Sequence, residues 1–272
     1  MFQQTWAKTK LDLLTLQSTA FVAVLLPFLY VSIRTCVHDY RGWLNLGEGG
    51  LPYNVGGWVI QWILKLTMAK RNTIDIECYA RPLAADLAEA EKRRNTIKHL
   101  GPLPQRLGSR PKVAHWVIPH RQVREKPPSR SLIQVSALQT AFQSLANERQ
   151  HVATICTSVL ERHGSGLFVL DSTKAPAVAV QSRGEITHFH ESDWSAHATL
   201  SYPDCEEVIQ KGWGERHGLS GSLLPLGYTL LFAPESEADV QVIQSIMAAA
   251  VEFMTGETGA REGSADNFEY TI

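Results

Sequence analysis

The stretch GEITHFHESDWSAHATLSYPDCEEVIQKGWGERH, residues 184–217, carries a dense group of chemically active side chains. It holds four of the ten histidines and two of the seven tryptophans of the chain, together with one arginine. Imidazole exchanges a proton near neutral pH, and indole supplies a large apolar surface. A solvated loop rarely combines the two, so the stretch is predicted to form the floor of a functional site.

The first part of this stretch, GEITHFH, predicts a β-strand because it is rich in β-branched and aromatic residues and has no helical period. Alternation along a strand sends His188 and His190 to one face, with Thr187 and Phe189 on the other. The same parity predicts that Glu185 lies off the histidine face.

Residues 194–201 predict a second strand, and the Glu191-Ser192-Asp193 turn between the two strands predicts a hairpin. Such a hairpin brings His197 beside the first two histidines, since residues paired across neighbouring strands lie close together. A short helix is predicted from Pro203 to Lys211. In the following segment KGWGERH, the glycines allow a tight backbone, so Arg216 and His217 are expected to lie beside the aromatic side chain of Trp213.

These placements define the candidate site. The candidate catalytic residues are His188, His190, His197, Arg216 and His217. The candidate substrate-binding residues are Phe189, Trp194, Trp213 and Glu185. A single strand histidine is more often a hydrogen-bonded core residue, and tryptophan is more often packing, so the prediction depends on the group. Three further histidines are weaker candidates: His115, His120 and His163.

A metal site is the alternative interpretation of His188, His190 and His197, because imidazoles projecting from one sheet face can hold zinc, iron or copper. The predicted parity of Glu185 argues against a carboxylate ligand from the same strand. The favoured interpretation is a site without metal. No phosphate-cradling glycine loop occurs, so the sequence calls for no nucleotide or flavin cofactor.

The residues also carry a resemblance to a known family. The pattern E-I-x-H-x-H, then S-x-H-x-x-L and K-G-W-G-x-R-H, followed by YTLLFAP at residues 228–234 and an alanine-rich helix, resembles the luciferase domain of the fungal luciferases. Similar residues also occur upstream, at Asp39-Tyr40, Gly47, Pro52-Tyr53, Arg110-Pro111 and Arg162-His163.

The resemblance implies an oxidoreductase that oxidises 3-hydroxyhispidin or a related enolisable 3-hydroxy-α-pyrone with O2 as co-substrate. In that reaction His188 or His190 would remove the enol proton, because a general base works best with a pKa near the ambient pH. Arg216, with His217 or His197, would stabilise the enolate and peroxide before an endoperoxide forms and loses CO2. Trp213, Trp194 and Phe189 would wall the pocket and exclude water.

Two other functions remain open. The same histidines could catalyse a redox-neutral cyclisation, isomerisation or dehydration of a secondary metabolite. The domain could instead be a non-catalytic, membrane-tethered binder of an apolar ligand. The formal net charge of −1 offers no general attraction to nucleic acid. The four cysteines lack metal-site or disulfide spacing.

The N-terminal region predicts a membrane anchor. The uncharged run from Leu13 to Ile33 is long enough to cross a bilayer, and a cleaved signal peptide is the rival interpretation. More Lys and Arg follow the run than precede it, which favours a single-pass protein of the endoplasmic reticulum with its catalytic domain in the cytosol.

The rest of the chain predicts an α+β domain with a mainly antiparallel sheet backed by helices. The predicted divisions are an anchor at 1–36, an amphipathic and basic connection that wraps the domain at 37–131, the luciferase-like domain at 132–255, and a disordered tail at 256–272. Within them we expect a helix over 135–162 and strands at 113–118 and 177–180.

Overall fold

The computed structural model describes residues 2–80, 89–123 and 132–257, with side chains for 21–80, 89–123 and 135–257. The chain divides into two compact units, residues 1–45 and 46–272. The first unit consists mainly of helix α1, Phe2–Leu44. Within α1, Phe21–Leu44 is apolar and long enough to cross a membrane, with a mean hydropathy of 1.7. It overlaps the predicted anchor, although a signal sequence near the N-terminus would meet the same criterion.

The second unit is an α+β domain. Its helices are α2 (Val55–Thr67), α3 (Glu77–Ala80), α4 (Glu89–Asn95), α5 (Leu132–Glu148), α6 (Tyr202–Gln210) and α7 (Glu237–Thr255). Its strands are β1 (Ala153–Thr157), β2 (Ser165–Val169), β3 (Glu185–Phe189), β4 (Ala196–Thr199), β5 (Gly214–Arg216) and β6 (Tyr228–Leu231).

The six described strands form one antiparallel sheet in the order β1-β2-β3-β4-β6-β5. The predicted α+β class with an antiparallel sheet is therefore confirmed. Hydrogen bonds place Phe189 opposite Ala196, and Ala196 opposite Leu231. These residues share one face of the sheet, and they join the hydrophobic core with apolar residues of α5 and α7.

The other face of the sheet carries the histidines. His188 pairs with His197, and His197 pairs with Leu230, so the side chains of the three residues project to the same side. Segments 46–50, 117–122, 158–162 and 217–224 supply the groups that cover this face. Helix α7 packs on the opposite, apolar face of the sheet. The Ser236 side chain caps its N-terminus by accepting a hydrogen bond from the backbone N–H of Asp239, and Gly256 ends the helix with a φ of 75°.

Three of the predicted elements are wrong. The helix expected over 135–162 ends at Glu148, and Ala153–Thr157 forms β1, because residues 165–169 offer it a neighbouring strand to pair with. Ala177–Val180 is a 3-10 helix that follows Pro176. Residues 113–118 make only an isolated bridge, Val113 to Gln122.

The predicted domain boundaries stay a prediction. The described residues from 46 to 123 belong to the same compact unit as the sheet. The predicted connection at 37–131 falls partly on residues 81–88 and 124–131, which lie outside the described residues. The predicted disordered tail also lies outside them, apart from residues 256 and 257.

Candidate active site

Three imidazoles of the β3–β4 hairpin converge, as predicted. His197 Nδ1 lies 3.3 Å from His188 Nε2 and 3.1 Å from His190 Nε2. The three side chains are buried, each with at most 2% of its surface exposed. The proximity of the hairpin histidines is thus confirmed, and their catalytic role stays a prediction.

Glu185 also belongs to this group, which strand parity had excluded. Strand β2 pairs Leu167 with Thr187 but Phe168 with Glu185, so Ile186 is an extra residue in β3. An extra residue of this kind is a β-bulge, and it resets the alternation of faces. Glu185 consequently accepts a hydrogen bond from His188 Nδ1, and the prediction that it lies off the histidine face is wrong.

A second carboxylate fixes His190. Its Nδ1 lies 2.8 Å from Ser195 Oγ, and Ser195 Oγ lies 2.8 and 2.9 Å from the two oxygens of Asp193. Because a carboxylate only accepts, the Ser195 hydroxyl donates to Asp193 and its oxygen accepts from His190 Nδ1–H. His190 therefore presents its Nε2 lone pair to the centre of the cluster.

Glu161 completes the inner part of the cluster. Its Oε1 lies 3.8 Å from His188 Nε2 and 3.7 Å from His190 Nε2, while Oε2 pairs with the Arg121 guanidinium. Arg121 also donates to the backbone oxygens of Leu46 and Glu48. It therefore ties the covering segment 46–48 to the carboxylate.

Two more histidines lie on the outer side of His197. His120 Nδ1 is 3.3 Å from His197 Nε2, and His120 Nε2 is 3.5 Å from Glu215 Oε1. The backbone N–H of Leu219 donates to His217 Nδ1 at 3.0 Å, which leaves His217 Nε2 as an N–H donor. The rings of His120 and His217 meet edge to face, with centroids 4.5 Å apart.

Burial controls the charge of the cluster. It lowers the pKa of His190 below the ordinary value against the opposing attraction of Glu161 and Asp193. Burial and repulsion from neighbouring imidazoles lower the pKa of His197 and of His217 well below 6.5. Burial acts to raise the pKa of Glu161, but His190, His188 and Arg121 outweigh it, and the pKa is lowered. These pKa shifts favour neutral His190, His197 and His217 beside ionised Glu161 and Asp193.

A cavity of 290 Å³ opens onto the outer members of the cluster. Glu161, His120, His197 and His217 line it, and the ring of Tyr228 stacks on His197 at 4.8 Å. The lining also includes apolar side chains, among them Ile118, Val159, Leu160, Leu219, Leu223 and Leu224, and the polar Arg162, Gln181 and Arg183. His188 and His190 do not line this cavity. His120 and Glu215 also line a second cavity, of 460 Å³, whose wall carries Lys65, Lys70 and Arg71.

Arg216 does not reach the cluster. It pairs with Thr229 in the sheet, one residue out of step with the histidine face, and its guanidinium donates to Asn72 O at 2.8 Å and to Cys78 Sγ. The predicted contact of Arg216 with the reacting centre is therefore wrong. Strand parity explains the difference, because Gly214–Arg216 forms strand β5 and adjacent residues of a strand face opposite sides.

The predicted aromatic walls also lie elsewhere. Phe189 packs edge to face on Phe142 of α5, with centroids 5.2 Å apart, and stacks on Trp194 at 5.7 Å. Trp213 donates from Nε1 to Pro104 O at 2.7 Å and belongs to the hydrophobic core. These three side chains stabilise the fold and do not line the cavity at the histidines.

Sequence reasoning missed several residues of the site. Glu161 directly precedes the Arg162-His163 pair that belongs to the resemblance. Arg121 lies in a basic stretch without a helical or strand period. Tyr228 is the first residue of the segment YTLLFAP, which is noted only for the resemblance. His120 was a weak candidate. None of these residues has a local signature, because separate chain segments bring them to the histidines of the hairpin.

Comparison with known proteins agrees with this site. The sequence model of the "Luciferase domain" family matches residues 183–250, which include the histidines of β3 and β4 and His217. The luciferase of Armillaria gallica is 28% identical over 231 residues, 80% of this chain and 81% of that protein. The luciferase of Neonothopanus nambi is 28% identical over 238 residues, 82% of each chain. The luciferase of Armillaria ostoyae is 29% identical over 232 residues.

No solved structure matches the chain significantly. The domain match covers the hairpin, the short helix and the KGWGERH segment. The chain is therefore similar to the fungal luciferases over about four fifths of its length and matches their domain model at residues 183–250, and this similarity supports a luciferase-like function of the oxygenase type.

Proposed function

We propose that the protein oxidises an enolisable 3-hydroxy-α-pyrone, or a similar polyketide-type aromatic compound, with O2. The observation that carries the proposal is the cavity of 290 Å³ with a floor of three buried imidazoles and one carboxylate. This volume is at the lower end of the range for small-molecule sites, so it suits a compact planar substrate. Its apolar rim suits an aromatic ring, and its floor suits an ionising enol.

His120 is the proposed general base. Its Nε2 faces Glu215, so the carboxylate holds the proton on that nitrogen and leaves Nδ1 as a hydrogen-bond acceptor. Nδ1 lies 3.3 Å from His197 Nε2, and the enol of the substrate would take the place of His197 as its donor. Glu215 then stabilises the imidazolium that forms. This assignment replaces His188 and His190, which lie behind the cavity wall.

The proposed role of His217, on the floor of the cavity, is to stabilise negative charge on the substrate. His217 Nε2–H is directed by the Leu219 amide, and it can donate to the enolate and to the developing peroxide. The enolate gives electron density to O2 and forms a carbon–oxygen bond, and the peroxide closes on the lactone carbonyl as an endoperoxide. Cleavage of its O–O bond with loss of CO2 then yields the oxidised product.

Helix α1 supports a location at a membrane. Phe21, Val24 and Phe28 are each at least 67% exposed, as expected for side chains that contact lipid. A membrane anchor suits a poorly soluble substrate and O2, which partitions into lipid. The proposed location is the endoplasmic reticulum with the domain in the cytosol.

The test is O2 uptake with photon counting on the detergent-solubilised full chain and a synthetic 3-hydroxy-α-pyrone. The proposal expects O2 consumption with release of one CO2 per O2, and a loss of both in His120→Ala. His151→Ala is the matched control, since His151 is exposed and pairs only with Glu257 among the described residues. Conversion of the pyrone without O2 uptake would favour a redox-neutral enzyme, and binding of an unchanged pyrone would favour a ligand-binding protein.

A further inference from the structure

Four potential ligand atoms surround one point on the inner side of the cluster. They are Glu161 Oε1, His188 Nε2, His190 Nε2 and His197 Nδ1, and all lie within 4.8 Å of one another. Four of their separations are 3.1, 3.3, 3.7 and 3.8 Å. A tetrahedral ion with bonds of about 2.1 Å requires separations of about 3.4 Å between its ligands. The observed values bracket that distance.

In each of the three histidines, the ring nitrogen that is not a potential ligand atom faces a hydrogen-bond acceptor. His188 Nδ1–H donates to Glu185, and His190 Nδ1–H donates to Ser195, whose hydroxyl is bound to Asp193. His197 Nε2 faces His120 Nδ1. Metal-binding histidines in proteins typically donate their second ring N–H in this way, which fixes the tautomer and directs the other lone pair at the ion.

Protein groups alone do not satisfy this arrangement. The lone pairs of His188 Nε2 and His190 Nε2 both face His197 Nδ1, which carries at most one proton. Glu161 Oε1 adds a third acceptor beside them. An unsatisfied buried acceptor costs about 1–3 kcal/mol, so a cation that accepts all four electron pairs at once would remove a substantial penalty.

The acidic side chains around the four potential ligand atoms also favour a bound cation. Glu161, Glu185 and Asp193 are buried acidic side chains beside these imidazoles, and Arg121 pairs with Glu161. Three carboxyl groups beside one guanidinium make this part of the interior rich in acidic groups, which a divalent cation would offset. Isolated buried charge is strongly disfavoured in a medium of low dielectric constant.

We propose that Glu161, His188, His190 and His197 bind a divalent first-row transition-metal ion. Three imidazole nitrogens and one carboxylate oxygen favour zinc, iron, manganese or copper over calcium and magnesium, which prefer oxygen ligands. Glu161 and His197 also line the cavity of 290 Å³, so the ion would lie at its floor, within reach of a substrate oxygen. As a binding site the proposal stands alone, and a catalytic role for the ion rests on the proposed function.

The experiment measures metal binding without reference to turnover. The full chain, purified in detergent without a histidine tag, is analysed for metal content, stripped with chelator and titrated with Co²⁺. We expect about one equivalent of ion per chain, the visible absorption of four-coordinate cobalt, and a higher melting temperature with Co²⁺ or Zn²⁺. His188→Gln should weaken cobalt binding by at least about 100-fold, since even outer partners of ligands typically contribute 10–100-fold. His151→Gln should bind like the wild type.

A second variant covers the case in which His188→Gln does not fold. Glu161→Gln lies at the edge of the cavity, keeps its volume and should also lose cobalt affinity. A stripped wild-type protein that takes up no Co²⁺ or Zn²⁺ would overturn the inference, as would tight cobalt binding retained in folded Glu161→Gln and His188→Gln. O2 uptake by the stripped protein would leave the proposed function standing while removing the catalytic role of the ion. Metal binding without any O2 uptake would support the ion site and contradict the proposed function.

Discussion

Glu185 accepts a hydrogen bond from His188 Nδ1, although the two residues lie three positions apart in one strand. Regular alternation would place them on opposite faces, and the bulge at Ile186 brings them to the same face. A backbone irregularity thus supplies the carboxylate that orients the histidine.

The first prediction concerns this orientation. Glu185→Gln keeps the size of the side chain but weakens the hold on His188 Nδ1–H, so His188 should point its Nε2 less firmly at the cluster centre. We expect a 10–100-fold loss of cobalt affinity, roughly the effect of removing an outer partner of a metal ligand. Cobalt titration followed by absorption measures it. Glu191→Gln is the control, because Glu191 lies in the turn of the same hairpin and is exposed.

The second prediction concerns the proposed base. His120→Ala should lower kcat for O2 uptake by about 10²–10⁴-fold, the usual contribution of a general base. Glu215→Gln should lower it less, and the double variant should resemble His120→Ala, because Glu215 acts through His120. Independent effects that multiply in the double variant would contradict this coupling.

The third prediction concerns stability. The Arg121 side chain is 3% exposed and pairs with Glu161, whose side chain is 11% exposed, while it also donates to the backbone oxygens of Leu46 and Glu48. Removing one partner of such a pair typically costs about 3–5 kcal/mol. Arg121→Ala should therefore lower the free energy of unfolding by about that amount in urea denaturation. Arg93→Ala, at an exposed position of α4, should change it by less than about 0.5 kcal/mol.

The fourth prediction separates core residues from pocket residues. Phe189→Leu removes part of a ring that packs on Phe142 in the core, so we expect a loss of about 1–2 kcal/mol in stability. The KM for the pyrone should change less than about twofold. Leu224→Ala removes part of the cavity lining and should raise KM instead. The opposite pattern of KM values would show that the substrate contacts the Phe189 side of the sheet.

The fifth prediction concerns helix α1. If Phe21–Leu44 crosses a membrane, the full chain should stay in the membrane pellet after alkaline carbonate extraction. Deletion of residues 1–45, the whole of the first compact unit, should release the protein to the supernatant. Release of the full chain by carbonate would show that the helix does not span the bilayer.

The predictions that the structure confirms are those with a strong local signal. Alternation in ITHFH and the turn at 191–193 predict the hairpin that joins His188, His190 and His197. The helix predicted over 135–162 is wrong beyond Glu148, because the apolar residues from Ala153 onward fit a helix and a strand equally well. Only the pairing of Ala153–Thr157 with β2 decides between them.

The sequence alone determined the resemblance to the fungal luciferases, the α+β class and the meeting of the three hairpin histidines, because hydrophobic period, turn residues and the KGWGERH segment are local properties of the chain. Tertiary structure decided the rest of the site. Glu161, Arg121 and His120 come from segments far from the hairpin, and no local pattern states which segments will cover a sheet face. Tertiary structure also set Arg216 and Phe189 apart from the histidines and brought Glu185 to them, because the register of neighbouring strands determines which face each side chain occupies.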